Sequence, residues 1–348
     1  MSLFRDNIVS MPPYVPGEQP ARGSRVIKLN TNENPYPPSP AALAVLHSLD
    51  GELLRRYCDP AATELRLAAA KVYGVDADWI IAGNGSDDLL AMVMLACAAP
   101  GRKAAYAMPT YVLYRTLAQM QDAPFDEPPY DEDYHLPMAA LLAAQAAVTL
   151  VATPNSPSGT SAPTRELAEL AAGLRGLLVI DEAYVDFAEA DAMELVKQFP
   201  NVLVLRTLSK GYGLAGLRVG LGVGQPALLK GLVKVKDSYN VGAIPAVVGA
   251  AALGDQAYKN ACAAKVKASR ARLSADLTRL GFRVWPSQSN FLLARPADGQ
   301  AARLYLGLKE RGILVRYFNE PRLDDKLRIT VGADRQDQAL TAALAELT

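Results

Sequence analysis

Short runs of continuous apolar residues recur along the first two thirds of the chain, at 104–107, 148–152, 177–180, 202–205 and 219–223. Each ends at a polar or turn residue. Runs that are continuous rather than alternating belong to strands buried on both faces. Helix-period segments at 111–120 and 165–172 lie between them. This alternation restricts the chain to an α/β fold with a mostly parallel central sheet covered on both faces. Upstream, helices are expected at 39–48 and 62–73. The stretch 80–90 reads as a short strand, a Gly turn and a helix start, where Ser86, Asp87 and Asp88 suit the cap or first turn.

After about residue 245 the pattern changes. A long helical stretch, 245–280, leads into strands at 282–285, 290–294, 313–316 and 327–331, with helices at 300–311 and 335–347. This reads as a smaller α+β domain. Residues 11–40 hold eight prolines and read as an extended arm with a short strand at 26–29. The arm is expected to pack on the small domain, giving a large domain at 45–244 and a small one from 1–44 plus 245–348.

Composition removes several classes of function. Of 348 residues, 36 are Lys or Arg and 36 are Asp or Glu, so the formal charge is zero and favours neither nucleic acid nor a membrane surface as partner. The two histidines, His47 and His135, sit in no motif, which disfavours a Ser-His-Asp enzyme or a His-ligated metal; no metal site is expected. Cys58, Cys97 and Cys262 lie far apart and read as reduced thiols. Residues 1–10 lack the apolar core of a signal peptide, and 89–99 is too short to span a bilayer. A cytoplasmic location is expected.

The chemistry lies at the strand ends, where α/β proteins bind ligands. Lys210 follows the run 202–205, with Thr207, Ser209 and Arg218 around it. An amine placed for a carbonyl, beside groups suited to a phosphate, fits pyridoxal 5'-phosphate, which carries an aldehyde and a phosphate on one small ring. Asp181 ends another apolar run. A carboxylate there needs a cationic partner, and a protonated pyridine nitrogen is one; a helix cap or structural aspartate is the plainer alternative. Asn155 and Tyr184 can donate to the cofactor's phenolate oxygen, although Asn155 alone is an ordinary turn residue. Gly85, Ser86 and Asp87 open a helix and offer backbone N–H groups to a phosphate. Tyr111 can stack on a flat ring or simply pack at its helix start.

Together these segments resemble the fold-type I pyridoxal-phosphate aminotransferases of the aspartate aminotransferase class. The matching motifs are Asn-Thr-Asn-Glu-Asn-Pro-Tyr at 30–36, Arg-Tyr-Cys-Asp-Pro at 56–60, Gly-Asn-Gly-Ser-Asp at 83–87, Pro-Thr-Tyr at 109–111 and Thr-Pro-Asn-Ser-Pro-Ser-Gly at 153–159. They continue with Asp-Glu-Ala-Tyr at 181–184, Thr-Leu-Ser-Lys at 207–210, Gly-Leu-Arg-Val-Gly at 216–220 and Leu-Arg-Ile-Thr-Val-Gly at 327–332. The resemblance implies that Lys210 carries the cofactor as a Schiff base and shuttles the proton, that Asp181 pairs with the pyridine nitrogen, and that Tyr184 and Asn155 hold the phenolate. Tyr111 would stack on the ring, and Ser86, Asp87, Ser209 and Arg218 would surround the phosphate. Tyr57 would reach the phosphate of a neighbouring subunit, which implies a homodimer. Arg328, Arg316, Tyr14 and Asn32 would line the substrate pocket. The arm and the stretch Gly-Ile-Leu-Val-Arg-Tyr-Phe at 312–318 imply small-molecule substrates: a phosphorylated amino alcohol, exchanged with glutamate and 2-oxoglutarate. Aromatic amino acids, or a decarboxylase acting on phosphorylated threonine, are rivals on the same scaffold. A DNA-binding regulator that borrowed the fold would need an added domain, and no helix-turn-helix pattern precedes the first motif. Two positions depart from the family pattern: Cys58 stands where proline usually follows the tyrosine, and Asp88 where glutamate is commoner.

Overall fold

The computed structural model describes residues 2–12, 17–21 and 23–348. Thirteen strands are, in chain order, β1 Ile27–Lys28, β2 Ile80–Gly83, β3 Ala104–Tyr106, β4 Phe125–Asp126, β5 Val148–Ala152, β6 Leu177–Asp181, β7 Val202–Thr207, β8 Gly220–Gly224, β9 Arg283–Val284, β10 Phe291–Arg295, β11 Ile313–Leu314, β12 Arg316–Tyr317 and β13 Leu327–Thr330.

Seven of them form one sheet in the order β2-β8-β7-β6-β5-β3-β4. β8 runs antiparallel to both its neighbours, and the pairs from β7 outward to β4 are parallel. The expected α/β architecture is therefore present. Every residue of β5, β6 and β7 is buried, as continuous apolar runs require. One core cluster lies on each face of the sheet: Ile180, Val204 and Leu221 belong to the first, and Val179, Leu203 and Leu205 to the second. Successive side chains of a strand point to opposite faces, so each strand feeds both cores.

The C-terminal part forms a four-stranded antiparallel sheet, β12-β13-β10-β9. Its core takes in Leu29 of the arm, the helix Gln256–Arg279 through Val266 and Leu273, and the last helix, Asp334–Leu347, through Leu340 and Leu344. The arm joins this unit through β1, which pairs in parallel with β11.

Beyond elements that the sequence reading did not place, such as β4 and the helices Met138–Ala144 and Pro226–Leu232, two expected elements divide. The stretch 245–280 is not one helix but two, Ala243–Gly254 and Gln256–Arg279. Asp255 interrupts them and accepts from the Tyr258 N–H at 3.3 Å, an N-cap that starts the second helix. The first of these helices packs in the core of the large sheet, through Val248, Ala252 and Leu253. The strand expected at 313–316 also divides. Ile313–Leu314 pairs with the arm, whereas Arg316–Tyr317 pairs with β13. An apolar run reports burial and not the partner, so a strand that changes sheets in mid-run is invisible in the sequence.

Candidate active site

The C-terminal ends of β2, β3, β5, β6 and β7 and the N-terminal end of β8 share one edge of the large sheet. A cavity of about 610 Å3 opens there. Its lining includes Ser86, Asp87, Tyr111, Asp181, Tyr184, Thr207, Ser209, Lys210, Arg218, Asn32, Arg316 and Arg328. Residues separated by up to about 300 positions in the sequence thus meet around one space.

Lys210 sits in the loop after β7. Its Nζ donates to the Thr31 carbonyl at 3.2 Å and lies 5.6 Å from the centre of the Tyr184 ring. The loop is held from above by the arm: Asn34 Nδ2 donates to the carbonyls of Lys210 and Gly211, at 2.9 and 3.1 Å. Below the loop Gly211 is required, since a Cβ there would fall 2.2 Å from Asp186 Oδ2.

Asp181 ends β6 and is 5% exposed. Tyr114 donates its phenol to Oδ2 at 2.8 Å, and the Ala183 N–H reaches Oδ1 at 3.2 Å. Burial pushes its carboxyl up to about 6, and the charge of Asp87 adds to this against the pull of the two donors. No cation pairs with Asp181 among the described residues. A buried carboxylate with two neutral donors and an open side toward a cavity is suited to a cationic ligand atom.

Tyr184 accepts from Asn32 Nδ2 at 3.0 Å. Asn32 has a left-handed backbone, φ 56°, and its Oδ1 and N–H both bond Thr330 Oγ1, which fixes the amide. The phenolic proton of Tyr184 is thereby left to point elsewhere. Asn155 is bonded within the loops at the sheet edge. Its amide donates to the Pro109 carbonyl and to Ser158 Oγ, and its Oδ1 accepts from Thr110 Oγ1. These bonds tie the loop after β5 to the loop after β3, and Asn155 does not line the cavity.

The anion cradle is built from glycines as much as from donors. Gly85, at φ +85°, precedes the helix Ser86–Cys97, whose first N–H groups lack intrahelical partners. A Cβ on Gly85 would lie 2.5 Å from Arg218 Nη2, and one on Gly220 would lie 2.3 Å from the Gly85 carbonyl carbon. Bare backbone at both positions lets Arg218 lie across the helix start. Thr207 Oγ1 donates to Ser209 Oγ at 3.0 Å, and Arg218 Nη1 reaches the same Ser209 oxygen at 3.4 Å. Asp87 accepts from Arg218 at 2.9 Å and from the Tyr111 hydroxyl at 3.1 Å. The Asp87 side chain thereby ties Arg218 and Tyr111 together at the cradle.

Arg316 and Arg328 face each other across β12 and β13 in register. Arg328 donates to Ser156 Oγ and to the Asn30 carbonyl, each at 2.9 Å, and lies over the rings of Phe291 and Phe318. Arg316 lies 5.1 Å from the centre of the Phe318 ring. Like charges directly opposite on paired strands destabilise a sheet. Two arginines in that register on a cavity wall are therefore suited to a shared anion. Tyr14 lies outside the described residues. Tyr57 is 86% exposed, stacks on Tyr239 at 4.7 Å, and is absent from the cavity of its own chain.

Sequence reasoning missed three contributors. Tyr114 left no signal beyond being an aromatic residue in a helix. Thr31 and Asn34 lie within the arm motif, but their bonds to Lys210 and its loop depend on tertiary placement. It also missed the ion pair behind the site. Arg206, next to Thr207, pairs with Glu182, next to Asp181, at 2.8 Å, and both are buried. Charges flanking two apolar runs were legible as a signal for it. Among the described residues no cluster of His, Cys, Asp or Glu is placed to hold a metal ion, and no helix is long and apolar enough to cross a membrane.

These residues fit pyridoxal 5'-phosphate. The carboxylate without a cation suits the ring nitrogen, the glycine-lined cradle suits the phosphate, and the amine of Lys210 lies on the same cavity wall.

The profile of the family "Aminotransferase class I and II" matches residues 24–347. A protein of Trichormus variabilis named histidinol-phosphate aminotransferase 1 is 61% identical over 346 residues, covering 99% of each chain. The histidinol-phosphate aminotransferase of Citrifermentans bemidjiense is 44% identical over 347 residues, covering 100% of this chain and 99% of that one. Among solved structures, histidinol-phosphate aminotransferase from Sinorhizobium meliloti in complex with pyridoxal-5'-phosphate superposes with a TM-score of 0.92 at 28% identity, covering 100% of this chain and 98% of that chain.

Proposed function

Because the chain belongs to the class I and II aminotransferases, we propose that it moves an amino group between L-histidinol phosphate and 2-oxoglutarate, giving imidazole-acetol phosphate and glutamate, in histidine biosynthesis. The observation that carries the substrate reading is the facing pair Arg316 and Arg328 on the cavity wall. A phosphate on one substrate and the distal carboxylate of the other can occupy that position in turn. A guanidinium pair binds both, because each is an anion of planar or tetrahedral oxygens. The relatives' names support the same reading.

When bound, pyridoxal 5'-phosphate supplies an aldehyde for amine exchange and a ring that accepts the electron pair left when the Cα proton departs. The chain's own residues do the rest. Lys210 Nζ would hold the cofactor by its aldehyde carbon and, freed by a substrate amine, would serve as the base that moves the proton between the substrate's Cα and the carbon on the far side of its nitrogen. Asp181 keeps a proton on the ring nitrogen. Tyr184, oriented by Asn32 and Thr330, donates to the phenolate oxygen. Ser86, Ser209, Thr207 and Arg218 would hold the phosphate, and Tyr111 would lie beside the ring. Arg316, Arg328, Asn32 and Tyr14 position the substrate.

The division of labour follows the two units. We assign the cofactor to the large unit, expected at 45–244, and the anion-binding arginines to the small unit, 1–44 with 245–348. Since the helix Ala243–Gly254 packs in the core of the large sheet, the seam we propose falls at Asp255.

We also propose a homodimer that completes each site with Tyr57 of the other subunit. Its support is the exposed stack of Tyr57 on Tyr239, with Leu54 and Val233 also exposed. Sedimentation at the mass of a single 37.2 kDa chain would remove this part of the reading. The substrate reading is tested by steady-state kinetics. With 2-oxoglutarate as acceptor, kcat/KM for histidinol phosphate is expected to exceed that for phenylalanine by about 10²-fold or more, the discrimination that a buried charged contact supplies. Equal values would refute it.

A further inference from the structure

Tyr114 is completely buried in the helix Leu113–Met120 and does not line the cavity. Its ring meets Tyr106 and Tyr111 edge-on, both at 5.8 Å between centres, and its hydroxyl donates to Asp181 Oδ2. A buried tyrosine hydroxyl needs a partner, and this one has a carboxylate that itself faces the ligand space.

We infer that Tyr114 is a positioning residue that acts through Asp181, fixing the carboxylate toward the cavity and keeping the shared proton on the cofactor's ring nitrogen. The inference rests on the reading of this cavity as the pyridoxal phosphate site. Asp181 has two donors, the phenol on Oδ2 and the Ala183 N–H on Oδ1. One donor on each oxygen fixes the plane of the group, leaving lone pairs directed at the cavity. Both donors also make the carboxylate less basic. A proton shared between that carboxylate and a pyridine nitrogen then rests on the nitrogen, where it strengthens the ring as an electron acceptor. Asp87 works the other way, since its negative charge makes Asp181 more basic. Tyr114 offsets that charge. Burial and the neighbouring carboxylate hold the phenol's own acidity far below its usual level, so it remains a donor at any working pH.

Tyr114→Phe removes one oxygen and keeps the ring contacts. Three measurements are made on it: titration of the cofactor-free protein with pyridoxal phosphate, the 15N shift of ring-labelled cofactor in the holoenzyme, and kcat with KM. Loss of a hydrogen bond to a charged group predicts that the Kd for the cofactor rises about 10-fold and kcat falls about 10- to 30-fold, with KM changed by less than about 3-fold. The 15N resonance should move toward its unprotonated position. A purely structural role would lower the melting temperature and leave the 15N shift and the ratio of kcat to KM as in the wild type; that result overturns the inference. As a second arm, a fluorinated tyrosine at 114, a stronger donor, should keep the resonance at the protonated position, and a shift toward the unprotonated position would again overturn it. Failure of the wild-type protein to take up the cofactor would instead refute the site reading itself.

Discussion

Lys210→Ala protein is expected to lose turnover by about 10⁴-fold or more, the upper end of what a positioned acid–base group contributes, with loss of the covalent hold in addition. It should also lose the visible absorbance of lysine-bound cofactor. Lys210 is the only lysine that lines the cavity among the described residues, so no second amine can replace it. The cradle at Gly85, Ser86 and Arg218 and the carboxylate of Asp181 remain, so cofactor should still bind, reversibly and more weakly. The fold should survive. Asn34 clamps the backbone carbonyls of Lys210 and Gly211 rather than the side chain, and the removed Nζ makes its bond to a single carbonyl, that of Thr31. Absorbance spectra and single-turnover rates of the variant decide the matter. A variant that keeps wild-type turnover would dismiss Lys210 as the proton carrier.

What the sequence revealed of this site follows a physical division. Asp181, Thr207 and Lys210 were legible because each ends or follows an apolar run, and parallel strands deliver such residues to one sheet edge. The strands that carry these residues were legible to within one or two residues for the same reason, whereas the two-residue edge strand β4 was not. Contacts that depend on packing between distant segments were not. Tyr114 stands 67 positions from Asp181, and nothing local marks its hydroxyl as bound to a carboxylate. Asn155 also makes bonds that the motif did not show, its amide and oxygen joining the loop after β3. The division of 313–316 between two sheets was hidden because burial is the same in both.

Asp181→Asn is expected to separate activity from stability. The amide matches the carboxylate in size and can still accept from Tyr114, but it carries no charge to hold a proton on the ring nitrogen. Removing one partner of a buried ion pair costs about 3 to 5 kcal/mol, which predicts a loss of about 10²- to 10⁴-fold in kcat. The cofactor-free protein should respond in the opposite direction. In the folded chain the Asp181 carboxyl titrates near 6, above its ordinary 3.8, because burial penalises the charge. A carboxyl raised in this way imposes no cost below about pH 4, where it is protonated in both states. Its cost grows as pH rises through 4 to 6 and is complete above 6, where it amounts to about 3 kcal/mol. Asparagine carries none of this, although its amide nitrogen meets the Ala183 N–H less well than a carboxylate oxygen does. Without cofactor, the variant should therefore melt above the wild type at pH 8, and the gap should close toward pH 4. Added pyridoxal phosphate should reverse the order at pH 8, since only the wild type gains the ion pair. Thermal melts at both pH values, with and without cofactor, measure this directly. A cofactor-free variant less stable than the wild type at pH 8 would mean that the bonds from Tyr114 and Ala183 outweigh the burial penalty at Asp181.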